Sequence, residues 1–381
     1  MLSRVPYPLD KGDKLRAYYQ IKELARYHDL YVCALSDQPI HPKAEKNLLP
    51  YVKQLSIIRF RKSDIAARLV CNIFSGKPFQ VAYFYSKAAH LQVKNLIKQI
   101  EPHHIFCQLI RTAEFVKDQA IDKTIDYQDA FSKGLHRRLK ISPWYLKPFI
   151  NAEYERVRQY EHEVFKAFAK KTIISHPDRN FIPHPANQSI HIIPNGVDTD
   201  FFFPMRLEKD FEVIFSGNMG YAPNVNGAIF LVKEIMPLVW KEFPEARLVL
   251  VGTNPGARVR ALASENVVVT GWVNDMRPWY ARAKVFVAPM QIGTGLQNKV
   301  LEAMAMQLPV VTSPLANIAL GAKPNAELLI GNNPVDYAQH VLTLLKDDEF
   351  YNKLIFNGFS FVGKHFRWSA TCQKLEKIIT T

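Results

Sequence analysis

Residues 288–314 read APMQIGTGLQNKVLEAMAMQLPVVTSP, and the order within them is strand, glycine-bearing turn, helix, strand. The turn Gly293-Thr294-Gly295 is expected to open the helix. A helix N-terminus presents N–H groups without intrahelical partners and a partial positive charge, so it favours anions such as phosphate. Lys299 follows about one helical turn later and Glu302 about two. Gly295, Asn298, Lys299 and Glu302 share one polar face, expected to point away from the core; Leu296, Val300, Ala303, Met304 and Gln307 form another. The first face would set N–H groups and an ammonium against a diphosphate, and a carboxylate against ribose hydroxyls. Read alone, the same stretch also fits an ordinary crossover helix carrying a surface Lys–Glu pair.

Outward from this stretch, short apolar runs alternate with helical ones. Strands are expected at Leu30–Ser36, Leu55–Phe60, His104–Leu109, Thr124–Tyr127 and Thr172–Ser175, and then at Val213–Ser216, Arg247–Gly252, Val267–Thr270, Val285–Pro289 and Pro309–Thr312. Such alternation implies parallel sheets covered on both faces. The expected class is α/β, with two doubly wound domains facing a cleft in which a ligand would lie at strand carboxyl ends. Pro183, Pro185 and Pro194 mark the joint. The expected domains are 1–187 and 188–360, with 361–381 ending in a helix that returns to the first. Only Met1–Arg4 precede the loop Val5–Lys14, so the first strand reads as clipped, through either a late start or a frayed central strand; if the strand is central, its loss would weaken the first domain.

A chain of 381 residues with 48% hydrophobic residues can bury two or three cores. No apolar run reaches the roughly twenty residues that span a bilayer, and the N-terminus lacks the apolar segment of a signal peptide. A cytoplasmic protein is expected. Cys33, Cys71, Cys107 and Cys372 have no metal-ligand spacing, and Cys33 and Cys107 read as buried, reduced thiols. The net charge of +14 is uneven: residues 1–190 carry 31 Lys and Arg against 18 Asp and Glu, residues 191–381 carry 18 against 17. A basic half suits an anionic membrane or acceptor; a solvated basic surface is the plainer alternative. Nucleic acid is disfavoured, because the basic half shows no recognition motif.

The order PNGVD with a following F-x-P (Pro194–Pro204), FSGNM (Phe215–Met219), LVLVGTNP (Leu248–Pro255), VTGWVNDMRPWYARAKVFVAPM (Val269–Met290) and GTGLQNKVLEAMA resembles family 4 glycosyltransferases of the GT-B fold. RVPYPLDKGDKLRAYYQIKELAR (Arg4–Arg26) and DYQDAFSKGL (Asp126–Leu135) are similar to the sugar-transferase branch associated with exopolysaccharide biosynthesis. The resemblance implies two Rossmann-like domains and a retaining transfer from a nucleotide-sugar donor to a lipid-linked or saccharide acceptor, with no cofactor and no metal. It places Glu302 at the second glutamate of the family's E-x7-E motif, on the donor ribose, and Thr294 where the first glutamate stands. Asn218 takes the place of a diphosphate-binding arginine, and the partner lysine is absent from YAPNVNGA. Lys299 and Gly293–Gly295, with Leu296, therefore carry more of the phosphate, helped by Arg4 or Lys14.

By the same resemblance, Gly12 belongs to a first loop that approaches the diphosphate, and Trp272 and Val273 lie where the nucleobase is held; a turn glycine and a core tryptophan are the plainer readings. Asp126 with Arg4, Lys14 and Arg16 is placed on the acceptor side. Asp129 is the candidate to orient or deprotonate the acceptor hydroxyl, or else a helix cap. Lys133–Phe149, KGLHRRLKISPWYLKPF, mixes cations with aromatics, as an anionic lipid interface requires, and FSGKPFQVAYFY (Phe74–Tyr85) would border the acceptor. The expectation is peripheral attachment to the inner face of the membrane. A catalytically weakened scaffold of the same fold is the alternative function; an epimerase or phosphorylase fits PNGVD and KVLEAMA less well.

Overall fold

The computed structural model describes all residues except 73, 74, 293 and 294. The chain divides into two compact units, Met1–Pro194 with Thr371–Thr381, and Asn195–Ala370. In the first unit, β1 (Tyr31–Ser36) pairs with β2 (Gln54–Arg59), and β3 (Ile105–Gln108), β4 (Lys123–Asp126), β5 (Lys170–Ile173) and β6 (His191–Ile192) form a second sheet in that order, all parallel. Met1 and Leu2 join the two sheets. Leu2 N–H donates to Cys33 O and Leu35 N–H to Leu2 O, while Gln108 N–H donates to Met1 O. The short first strand is thus the hub between β1 and β3, and an apolar cavity of about 190 Å³ lined by Leu24, Val32, Val93 and Ile97 lies beside it.

The second unit holds β7 (Phe211–Ser216), β8 (Leu248–Val251), β9 (Val267–Gly271), β10 (Ala283–Ala288), β11 (Val310–Thr312) and β12 (Leu329–Ile330). Their spatial order is β12-β11-β10-β7-β8-β9, all parallel. The chain winds outward from β7 to β9, then returns to place β10 on β7's other side. That reversal leaves a crevice at the carboxyl ends of β7 and β10, the usual ligand position in such sheets. β8 is buried at every residue and β10 at all but Lys284, because helices cover both faces of a parallel sheet.

Local signals set the helix ends. Ser86 Oγ accepts from Ala89 N–H at the start of helix Lys87–Ile100, and Asn333 Oδ1 accepts from Asp336 N–H at the start of helix Pro334–Lys346. Asn195-Gly196 does more than turn. Val197 N–H donates to Phe366 O, and a Cβ on Gly196 would stand 2.7 Å from Trp368, so only glycine permits that approach.

The boundaries differ from expectation. The first unit runs on to Pro194 because β6 completes its sheet on β5. Residues 361–370 belong to the second unit, where Phe361, Val362 and Phe366 join the core. Only Thr371–Thr381, the body of helix Trp368–Thr380, joins the first unit, with Leu375 packed on Leu24 and Ile193. Cys33, Cys107 and Cys372 are buried free thiols, and Cys71 is an exposed one.

Candidate active site

The crevice between β7 and β10 is built by the two helices that follow those strands. Helix Ala222–Phe230 follows β7, and helix Asn298–Ala305 follows β10. The latter begins at Asn298 rather than at the glycine turn, with Gln297 at its cap and Gln297 Nε2 donating to Gly295 O at 3.0 Å. Lys299 and Glu302 do not point away from the core as expected. Lys299 Nζ lies 4.5 Å from the Phe215 ring centroid and donates to Asn224 Oδ1 at 2.6 Å. That bond spans the reversal point, from the helix after β10 to the helix after β7. Asn224 is fixed in turn by its Nδ2, which donates to Asn218 O at 2.9 Å.

Glu302 Oε2 accepts from the Tyr280 hydroxyl at 2.9 Å, and that hydroxyl lies 2.9 Å from Ser216 Oγ at the end of β7. Burial lowers the Lys299 ammonium to about 7, opposed by the Glu302 charge. Burial also pushes the Glu302 carboxyl up, against the Tyr280 hydroxyl and Lys299. Both groups are thus poised toward neutrality, and an arriving anion would restore the ammonium.

Two glycines bring the ends of β7 and β8 together. Gly217 and Gly252 have φ of 151° and 145°, and a Cβ on Gly252 would fall 1.7 Å from Gly217 O. No side chain fits on Gly252, so the two strand ends meet backbone to backbone, with the Asn224 amide packed against Gly217. Asn218 is exposed, with its Oδ1 accepting from Gly220 N–H at 2.9 Å. Trp272 is 67% exposed, which removes its reading as a core residue. Val273 and Leu296 are half-buried against the second unit's core. Gly293 and Thr294 lie outside the described residues.

In the first unit, the acceptor-side reading of Arg16 and Asp126 needs correction. Both are fully buried: Arg16 Nε donates to Asp126 Oδ2 at 2.7 Å and Nη2 to Oδ1 at 3.1 Å. Thr172 Oγ1 and Gln20 Nε2 donate to the same carboxylate. With no exposed atom to offer an acceptor, the pair ties helix Gly12–Leu24 to the end of β4. Gly12 is the first residue of that helix, and a Cβ there would meet nothing within 4 Å. Arg4 pairs with Asp13 and Lys14 with Asp10. Arg4 and Lys14 line a recess of about 180 Å³ with Tyr7, Lys11, Asp37 and His41.

Asp129 is not a cap: Ala130 holds that position for helix Phe131–Ile141, without a side-chain bond. Solvent reaches Asp129, yet the protein around it raises its carboxyl to about 6, with Asp178 adding repulsion and Arg16, Lys133 and Arg137 opposing. Beneath it lie Lys133 bonded to Asp178 at 2.8 Å, and Glu161 accepting from Ser132 Oγ at 2.5 Å. Burial raises Glu161 to about 7, against the Ser132 bonds. Sequence reasoning missed Asn224, Tyr280 and Ser216. Asn224 lay in YAPNVNGA, a segment read only for the lysine it lacks, and nothing local marks the other two. Among the described residues, no group of three or more His, Cys, Asp or Glu could hold a metal ion.

Residues 210–347 match the family model described as "Glycosyl transferases group 1". A Klebsiella pneumoniae protein described as an "Uncharacterized 44.6 kDa protein in cps region" is 22% identical over 389 residues, covering 95% of this chain and 94% of its own. Among solved structures, a sucrose-phosphate synthase from Thermosynechococcus elongatus superposes with TM-score 0.69 at 15% identity, covering 99% of this chain and 96% of its own. A glycosyltransferase from Rickettsia africae gives 0.66 at 15% identity, over 100% and 97%. Anabaena HepE, solved with UDP and glucose, gives 0.66 at 11% identity, over 100% and 98%. With parallel sheets in both units and a group 1 domain spanning the β7–β10 crevice, the chain has the GT-B fold and is a glycosyltransferase whose residues 210–347 match the group 1 model.

Proposed function

We propose that the chain moves a sugar, with retention of configuration, from a nucleotide-sugar donor to a lipid-linked or saccharide acceptor during exopolysaccharide or cell-surface glycan assembly. One observation carries the donor side: the Lys299–Asn224 bond across the β7–β10 reversal, with Glu302 one turn further along the same helix. Lys299 and the first N–H groups of helix Asn298–Ala305 take the diphosphate. Glu302 takes the ribose hydroxyls, held by Tyr280. The backbone near Trp272 and Val273 takes the base. When the bond from the sugar's anomeric carbon to the diphosphate breaks, its electron pair leaves with the nucleoside diphosphate, whose charge these groups stabilise. The acceptor hydroxyl forms the new bond and gives its proton to Asp129, whose raised pKa suits a base near neutral pH. No metal takes part in this scheme.

The cps-region relative supports the polysaccharide setting, and HepE with UDP and glucose supports the donor class. Among the described residues, no helix is long and apolar enough to cross a membrane; attachment at the cytoplasmic membrane face is proposed from the basic first half. A scaffold reading draws on Asn218, whose amide offers no charge to a diphosphate. Calorimetry with a panel of nucleotide sugars separates the two. The transferase account expects one donor to bind and Glu302→Ala to abolish that binding; a folded protein that binds no donor supports the scaffold.

A further inference from the structure

We infer that Pro143–Phe149 is an interfacial anchor that seats the first unit in an anionic lipid bilayer. The inference gives a structural element to the membrane part of the proposed function and does not depend on the transfer chemistry. Seven consecutive residues, Pro143 to Phe149, are exposed. Four of them are large and apolar: Trp144 at 81%, Tyr145 at 57%, Leu146 at 39% and Phe149 at 75%. Water-exposed aromatics at this density carry a standing hydrophobic cost that an apolar partner would remove.

The segment has a set shape. It is a single 3-10 turn, Trp144–Leu146, entered through Pro143 and followed at once by helix Lys147–Ala167, with Pro148 in its first turn. The Trp144 and Tyr145 rings meet edge to face at 6.1 Å. Ile150, buried immediately behind, fixes the turn to the body of the unit.

Charge identifies the occupant. From Ala130 to Ala152 the chain has no Asp or Glu and five Lys or Arg. Lys133 is turned inward to Asp178 and does not contribute to the surface. Arg137, Arg138, Lys140 and Lys147 are exposed around the aromatic turn, and no carboxylate lies within ion-pair distance of them among the described residues. Aromatic and aliphatic side chains at the tip, with cations at their flanks, match the two layers of an anionic membrane surface: acyl chains below, phosphates above. An apolar groove on a protein partner would not by itself call for this run of four exposed cations without a carboxylate.

The test uses the full chain with phosphatidylglycerol-containing and pure phosphatidylcholine vesicles. Expected are binding to the anionic vesicles alone, loss of that binding at high salt, and quenching of Trp144 fluorescence by lipids brominated in the acyl chain, with the quenched component missing in Trp144→Phe. The double variant Trp144→Ser/Phe149→Ser should bind about tenfold more weakly or worse, with an unchanged circular dichroism spectrum and unchanged nucleotide binding. Arg138→Glu/Lys140→Glu should weaken binding comparably. If the wild type binds anionic vesicles but the serine variant binds as tightly and Trp144 is not quenched, the anchor is wrong while peripheral attachment stands. If the wild type binds no vesicle, both are wrong and donor binding is untouched. A dimer that the serine variant disperses would assign the turn to a second copy of the chain and overturn the inference.

Discussion

Raising the pH should weaken the hold on a nucleoside diphosphate, and the size of the effect follows from Lys299. Burial against Phe215 and Asn224 brings its ammonium down to about 7 in the empty protein. The sign is set by which form the ligand wants. A diphosphate stabilises the ammonium, so binding draws a proton onto Lys299 above pH 7 and affinity falls as that proton becomes scarce. Half of the molecules hold it at pH 7 and roughly one in a hundred at pH 9, so affinity should drop about fiftyfold, or about 2.3 kcal/mol. The terminal phosphate of the nucleotide has itself ionised by pH 7, its second pKa being about 6. Titration calorimetry with UDP at pH 7, 8 and 9, in buffers of differing ionisation enthalpy, reads both affinity and proton uptake. Lys299→Met should bind more weakly at pH 7 and show neither the slope nor the uptake. A wild-type affinity flat from pH 7 to 9 would refute the reasoning, since a fully charged lysine would then face the ligand throughout.

Asp129 must be ionised to accept a proton, and its carboxyl is raised to about 6. Transfer should therefore decline below about pH 6, and Asp129→Asn should remove turnover while leaving donor affinity intact; a variant of undiminished rate would discard the assignment. Asp126→Asn removes the carboxylate charge that faces the buried Arg16 guanidinium. It should cost about 3–5 kcal/mol in urea unfolding; a cost below about 0.5 kcal/mol, typical of a surface change, would contradict a tightly buried pair. Tyr280→Phe removes the hydroxyl between Ser216 and Glu302. Thermal unfolding should show a loss of about 1–3 kcal/mol and calorimetry a weaker donor, whereas unchanged donor affinity would separate Glu302's position from Tyr280.

Ten of the strands were legible, most clearly those such as β8 (LVLV) and β10 (AKVFVA) that are short, nearly continuous apolar runs, which is how a strand buried on both faces must read. β6 and β12 were not, since His191–Ile192 and Leu329–Ile330 are two residues long and owe their pairing to the sheets they join. Met1–Leu2 looked like a damaged strand. It still bonds to both neighbours, because the partners on β1 and β3 are set by the rest of the unit. Lys299 and Glu302 were legible as a pair on one helical face, but not the direction of that face. Spacing along a helix says which residues travel together; Phe215, Asn224 and Tyr280, brought in from distant positions, decide that they turn inward. Arg16 and Asp126 misled for a related reason. Charged residues are rarely buried unless paired, and a partner 110 positions away leaves no local trace.

The transfer itself tests the central claim most directly. The protein is incubated with a panel of nucleotide sugars and lipid-linked acceptors, and the glycosylated acceptor and free nucleoside diphosphate are measured together. The account predicts one equivalent of nucleoside diphosphate per glycosylated acceptor for one donor, with the donor's anomeric configuration kept in the product and no product from Glu302→Ala. A folded wild-type protein that binds its donor yet forms no product from any acceptor, or one that forms product equally well without Glu302, would contradict it.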